Sequence, residues 1–322
     1  MSLNISNSQP NLTELPESFA IELTNLSAIS LSGEEKSKYL QGQVTCDVES
    51  AESHSLLNGA HCNAKGKTLS AFRFINRLDA HLLIQDKSSI ATSLAELKKF
   101  GVFAKVEINE SAELSFIALV GSEAETLIKK EFQVLPDNLS PVIQVETTTI
   151  VYIAGRQARF LLIDSQDRTQ QLLKTFNLNS FNHNLWDLLE IIEGFPVLND
   201  KTVAEYVPQM LNLQAIHGIS FTKGCYLGQE TVARMQYLGK NKRALFALSG
   251  TADKDVAIAS LEVQLGENWR KAGDVLNQYQ SDNGELYIQA VLASDLESSA
   301  KLRIKGQETS TLTLLPLPYT LD

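Results

Sequence analysis

Apolar and polar residues alternate in FAIEL (19–23) and again in SAISL (27–31), the period of half-buried strands. Ser32 and Glu35 then form an S-x-x-E pattern, which predicts a capped helix running to about Leu40 and stopped at Gly42. From 55 to 86, apolar β-prone runs flank NAKGK and NRLD, a meander of antiparallel strands in which Gly66 supplies the turn. SSIATSLAELKKFGVFAKVEI reads as a helix closed by Gly101 and followed by a strand. LSFIALVG is a strand and SEAETLIKKEF a helix, while TTTIVYIAG and ARFLLID pair as a hairpin. TQQLLKTF and NHNLWDLLEIIEG are helical. The long buried runs of a parallel sheet are absent, so the class is α+β rather than doubly wound. After Gly239 short strands alternate with Gly, Asn and Asp turns, the texture of a small antiparallel β-barrel. A domain boundary falls near residue 240.

Composition narrows the function classes. The chain has 322 residues, 43% of them hydrophobic, enough for two or three lobes with sizeable cores. Its net charge of −10 argues against binding nucleic acid by general phosphate neutralisation. Lys240, Lys242 and Arg243, with Lys223 and Arg234, are the one candidate basic patch, and a solvated charged turn is the simpler reading. The N-terminal residues read as a loose polar lead-in, not a signal peptide. No apolar run approaches a spanning helix, so no membrane association is expected. Three widely spaced cysteines do not form a disulfide framework, which points to a reduced cytoplasmic setting.

Several motifs fail on inspection. AKGKT lacks the glycine a P-loop needs at position 61, where His61 stands, and strand-like residues follow it. There is no G-x-G-x-x-G, H-E-x-x-H or C-x-x-C, so no metal site is expected. His61 and Cys62, adjacent in a strand, are expected to face one inward and one outward.

The chemistry gathers in KGCYLGQE, residues 223–230. Gly228 precedes a predicted helix, and Glu230 sits in its first turn, where negative charge is favoured. Cys225, upstream of that helix and near Lys223, is the candidate reactive thiol, since both neighbours favour thiolate. Gly224 would let backbone or ligand approach closely. Tyr226 and Gln229 complete the motif.

This octapeptide resembles the signature of the YgfZ family of folate-binding proteins, linked to tRNA modification and iron–sulfur upkeep. KYLQGQVTCDV, AHCNAKGK, LKKFGVFAKV, EGFPV, PQMLNLQAIHGISFTKGCYLGQE, NKRALF, GENWRKAG and LLPLPYTL extend the resemblance over nearly the whole chain. It implies a fold similar to the glycine-cleavage aminomethyltransferase: two α+β lobes and a C-terminal antiparallel β-barrel around a central channel. The lobes are expected at 20–48 with 113–239, at 49–112, and at 240–322. Relatives of the aminomethyltransferase type carry a carboxylate-bearing K-x-D/E-F-x-G-x-E in place of the thiol motif. The resemblance therefore implies binding of tetrahydrofolate or another reduced folate, with the chemistry moved toward sulfur. Of two family tryptophans that contact folate, one falls on Trp186, beside the stripe Leu185, Leu188, Leu189 and Ile192, and the other on Leu26. The family's pterin-binding glutamate falls on Ile192, with Glu193 one residue later and Glu190 two earlier. The implied role is an accessory folate-binding factor for an iron–sulfur enzyme of tRNA modification. A folate-dependent one-carbon transferase and a direct tRNA-binding module are the alternatives.

Overall fold

The computed structural model describes residues 4–239, 241–252 and 258–321. A seven-stranded sheet runs in the order Ile5–Ser6, Ser180–Phe181, Ser18–Glu22, Leu114–Gly121, Arg159–Ser165, Thr148–Ile153 and Val142–Val145. One face is covered by helices Ser122–Phe132 and Gln166–Phe176, whose Ile128, Phe132, Leu172 and Phe176 meet Leu119 and Leu162. The other face carries Ile21, Phe116, Leu161 and Ile163 and receives helix Asn184–Glu193. Both faces are buried, so the strands read as apolar runs more than as strict alternation.

The second sheet has five strands, Leu56–Cys62, Thr68–Arg77, Ala80–Asp86, Leu26–Ser32 and Glu107–Glu110. Helix Lys87–Gly101 lies on it, capped by the Asp86 carboxylate, which accepts from Ser88 N–H at 2.9 Å. The third unit is a closed barrel of six strands, Arg243–Thr251, Glu285–Ala293, Asn268–Gln280, Ser260–Leu265, Leu302–Ile304 and Thr311–Leu315. Closure leaves no open sheet edge to satisfy.

Four expectations need correction. Strand Leu26–Ser32 pairs with Ala80–Asp86 and Glu107–Glu110, and Leu40, Val44 and Val48 pack with Phe72 and Phe74 of the same sheet, so most of 20–48 belongs to the second lobe. Ser32 ends that strand, and the helix begins at Lys36 without a side-chain cap. The Glu35 carboxylate instead accepts from Lys105 N–H at 2.8 Å, so the capping box does not form. The N-terminal segment is not wholly loose, since Ile5–Ser6 pairs in parallel with Ser180–Phe181. His61 and Cys62 are both fully buried, because this sheet is covered on both sides. His61 Nδ1 bonds Ser93 Oγ of the covering helix at 2.9 Å, and Cys62 packs with Leu211 and Val232 on the other face.

One ion triad joins the first two lobes. Glu190, on helix Asn184–Glu193, is 1% exposed and takes a two-pronged pair from Arg73 of the second sheet, at 2.8 and 3.0 Å. Arg159 of the first sheet adds a third bond at 2.6 Å. Burial opposes ionisation of Glu190, but the pull of Arg73 and Arg159 overrides it and holds the carboxyl below its ordinary value. Removing the charge leaves two buried guanidiniums without a counter-ion. Glu190→Gln should cost about 3–5 kcal/mol, read from urea unfolding with an unchanged m-value. A loss below about 1 kcal/mol would show that the triad does not hold the lobes together.

Candidate functional site

The KGCYLGQE loop is shaped by its contacts with the second lobe. Gly228 has φ +82°, and a Cβ there would lie 2.5 Å from the Asn63 carbonyl oxygen and 2.8 Å from Gly66 Cα. Gly66 has φ +72°, and a Cβ there would lie 2.7 Å from Thr231 Cβ and 2.9 Å from the Gly228 carbonyl oxygen. The two glycines are turn residues that also let two backbones touch. Leu227 N–H donates to the Gly42 carbonyl at 3.0 Å, and Tyr226 is buried among Cys62, Leu211 and Val232. Gly224 has no neighbour within 4 Å of its would-be Cβ, so it faces open space. Helix Gln229–Leu238 follows, with Glu230 exposed in its first turn.

Cys225 is exposed, while Cys46 and Cys62 are buried and burial pushes both thiols up to about 12. Lys223 does not play the expected part. Its ammonium is buried and donates to the Val44 carbonyl at 2.8 Å and to the Cys46 carbonyl at 2.6 Å. Burial lowers its pKa to about 8. Lys223 is thus a brace between the cysteine loop and the turn at 44–46. It is also absent from any exposed basic patch. Arg234, Lys242 and Arg243 are exposed, and Lys240 lies outside the described residues.

Two cavities meet at the ion triad. The outer, about 370 Å³, is walled by Leu56, Asn58 and Arg73 from the second lobe and by Ile153, Gly155 and Arg159 from the first. Glu193, Phe195, Pro318 and Tyr319 complete it, the last two from the segment that follows the barrel. The inner, about 20 Å³, lies between Leu26 and Trp186 and has room for about one water. Arg73 and Phe195 line both, with the guanidinium 3.8 Å from the ring centroid, so this stacked pair partitions them. Two more open clefts, about 560 and 690 Å³, lie beside Asn199–Tyr206 at the barrel and beside Leu173–Phe181, away from the junction.

The structure thus brings Leu26 and Trp186 together but does not open the Trp186 ring to a ligand-sized space. Trp186 is 1% exposed and has the Arg159 guanidinium 4.8 Å from its ring centroid. Ile192 is in the core, and Glu190 is engaged by two arginines. Glu193 lines the outer cavity, where it accepts from Arg156 N–H at 2.8 Å. Arg73, Arg159 and Phe195 were not singled out from the sequence. The signal for the two arginines was a charge inside an apolar strand run, as in SAFRF and ARFLL. Among the described residues no group of three or more His, Cys, Asp or Glu side chains could hold a metal, and no helix is long and apolar enough to cross a membrane.

Two sheet-and-helix lobes and a closed barrel make up the aminomethyltransferase type of fold. Glycine cleavage system aminomethyltransferase T from Bartonella henselae matches over 98% of this chain and 87% of its own, with a TM-score of 0.70 and 12% identity. Residues 241–307 match the family model described as YgfZ, beta-barrel domain. The tRNA-modifying protein YgfZ of Colwellia psychrerythraea is 56% identical over 322 residues, covering 100% of this chain and 99% of its own. Its namesake from Yersinia enterocolitica is 40% identical over 318 residues, 97% and 96% of the two chains. The chain belongs to the YgfZ family.

Two predictions follow from the local electrostatics. Lys223→Met should lower stability by about 1–3 kcal/mol, because two inward carbonyls lose their donor. Equal unfolding midpoints for variant and wild type would remove the brace. Asp187, which accepts from Asn277 Nδ2 at 3.2 Å, is pushed up to about 7 by burial. The folded state then keeps a proton that the unfolded chain releases near 3.8, so this contribution to stability falls as pH rises through 7. Asp187→Asn should leave the melting temperature unchanged near pH 4 and raise it at pH 8, by about 1 kcal/mol of stability or more. The same shift at both pH values would contradict this.

Proposed function

We propose that the chain binds a reduced folate in the outer cavity and acts as an accessory factor for iron–sulfur-dependent tRNA modification, with Cys225 as its working thiol. The observation that carries the reading is the outer cavity itself. It draws walls from both sheet-and-helix lobes and from the segment after the barrel, includes the aromatic rings of Phe195 and Tyr319, and converges buried guanidiniums with the Glu193 carboxylate. Apolar walls with a few placed charges suit a flat, polar-edged heterocycle, and the volume falls in the ordinary range of small-molecule sites. The inner cavity in its present form does not admit a pterin, so Trp186 acts from behind Arg159 and not as an open stacking platform.

Curated relatives carry tRNA modification in their name. The net charge of −10 and the engagement of Lys223 favour an indirect route to tRNA, through a partner enzyme that carries a cluster. The one-carbon transferase alternative draws on likeness of fold alone. An exposed thiol on a loop pinned by glycine contacts is positioned to act on another molecule, as nucleophile or soft ligand.

Titration with tetrahydrofolate should change the intrinsic fluorescence, and Trp186→Phe should abolish most of the change. The other tryptophan, Trp269, lies in the barrel under Arg303, 4.2 Å from its ring centroid. No calorimetric binding of tetrahydrofolate by the wild-type chain would end the folate reading. Cys225→Ser should fold and bind folate normally, yet fail to restore cluster-dependent tRNA modification in cells lacking the wild-type protein. Iodoacetamide should label Cys225 ahead of Cys46 and Cys62. Full restoration by the serine variant would show that the thiol is not the working group.

A further inference from the structure

Eight large apolar side chains are exposed among the described residues, and three of them lie within four positions of one another. Phe100 is 40% exposed, Val102 73% and Phe103 97%, at the turn that joins helix Lys87–Gly101 to strand Glu107–Glu110. This turn is pinned at both ends. Gly101 is buried, and a Cβ there would lie 2.7 Å from Ile108 Cδ1. Ala104 N–H donates to the Gly101 carbonyl at 3.1 Å, and Glu35 N–H donates to the Lys105 carbonyl at 3.2 Å. The backbone therefore holds an apolar tip out into water, which is the mark of an interaction site. Lys98, Lys99 and Lys105 are exposed around the tip, and so is Lys38 on the neighbouring helix Lys36–Gln41. Lys99 pairs with Glu96 and Lys105 with Glu34, while Lys38 and Lys98 make no ion pair among the described residues. The same helix ties the tip to the cysteine loop. Tyr39 O–H donates to the Leu97 carbonyl at 2.5 Å, and the Gly42 carbonyl accepts from Leu227 N–H.

We infer that the turn at 100–105 is the docking knob for the partner enzyme, a protein whose surface offers an apolar pocket rimmed by carboxylates. This rests on the reading that the chain serves a partner protein, and it names the surface that receives it. A rigid aromatic anchor inside a charged rim is the pattern of an interface centre. Phe103 and Val102 fill the pocket, and Lys38 and Lys98 meet the acidic rim. Docking there sets the partner one short helix away from the loop that carries Cys225. Other occupants fit less well. RNA or an anionic lipid surface would spread over Glu34, Glu35 and Glu107 at the base of the tip, on a chain of net charge −10. A second copy would set its edge strand Glu107–Glu110 against its twin, and the exposed Glu107 and Glu110 would face like charges.

The test is restoration of cluster-dependent tRNA modification in cells lacking the wild-type protein, with full-length variants matched for protein level. Phe103→Ser changes a side chain that touches water, so its melting temperature and the iodoacetamide labelling of Cys225 should match wild type. It should nevertheless restore only about a tenth of the modified tRNA, because truncating an interface anchor weakens binding by tenfold or more. Phe103→Leu should restore it. Overexpression of Phe103→Ser by about tenfold should recover most of the modification by mass action, as weakened binding does and lost chemistry does not. Lys38→Glu with Lys98→Glu should lower restoration in the same direction, and an unchanged level would remove the acidic rim. Should Phe103→Ser not accumulate, Val102→Ser takes its place. Full restoration by stable Phe103→Ser at the wild-type level would overturn the inference, and so would no recovery on overexpression. Wild-type binding to phosphatidylserine vesicles or to tRNA that Phe103→Ser abolishes would assign another occupant and overturn it too, as would a dimer that the substitution dissolves. If the wild-type chain itself restores nothing, the accessory-factor reading falls and this inference falls with it.

Discussion

Glu190 is the constraint around which the lobes are arranged. It stands on a helix of the first lobe, binds an arginine from each of the two sheets, and lies almost wholly out of water. Such a carboxylate is tolerated in a protein interior only when its partners are fixed in place. Those partners are in turn laid against aromatic rings, Arg73 on Phe195 and Arg159 on Trp186. The packing of the ring pair, the separation of the sheets and the walls of both cavities therefore all hang on the same three charges. The barrel is attached to this junction from the far side, where Asn277 meets Asp187 and Tyr319 O–H donates to the Gly194 carbonyl at 2.8 Å.

The consequence for the candidate site is a division of labour. The cavity at the junction is rigidly charged and suited to binding. The cysteine loop lies elsewhere, braced by Lys223 and by the paired glycines, and presents its thiol outward. Nothing in this arrangement requires one small molecule to reach both places.

Much of the architecture was legible from periodicity. Strand Leu114–Gly121, helix Ser122–Phe132 and the hairpin at 148–165 lie where composition placed them, because each strand is a compact apolar run and each element has a plain stop. The start of the barrel was marked by a change of texture after Gly239. What the pattern could not show was pairing across distance. Strand Leu26–Ser32 reads the same in either sheet, and only its hydrogen bonds to Ala80–Asp86 assign it. Lys223 failed for a related reason. Nearness in sequence to Cys225 said nothing of the carbonyls at Val44 and Cys46, which fold brings to its ammonium. At the site, Leu26 and Trp186 were found together, but the arginine that covers the tryptophan was legible only as an unexplained charge in an apolar run.

The contact between Gly66 and Gly228 sets the autonomy of the cysteine motif. Each glycine leaves the other room to approach, and the loop conformation exists only where both backbones are present. KGCYLGQE is therefore not a portable module. A synthetic peptide of that sequence, or a graft into an unrelated scaffold, would carry the thiol without the geometry that presents it. Transplanting the loop geometry would mean carrying the 63–66 turn along with the octapeptide, as two halves of one discontinuous unit.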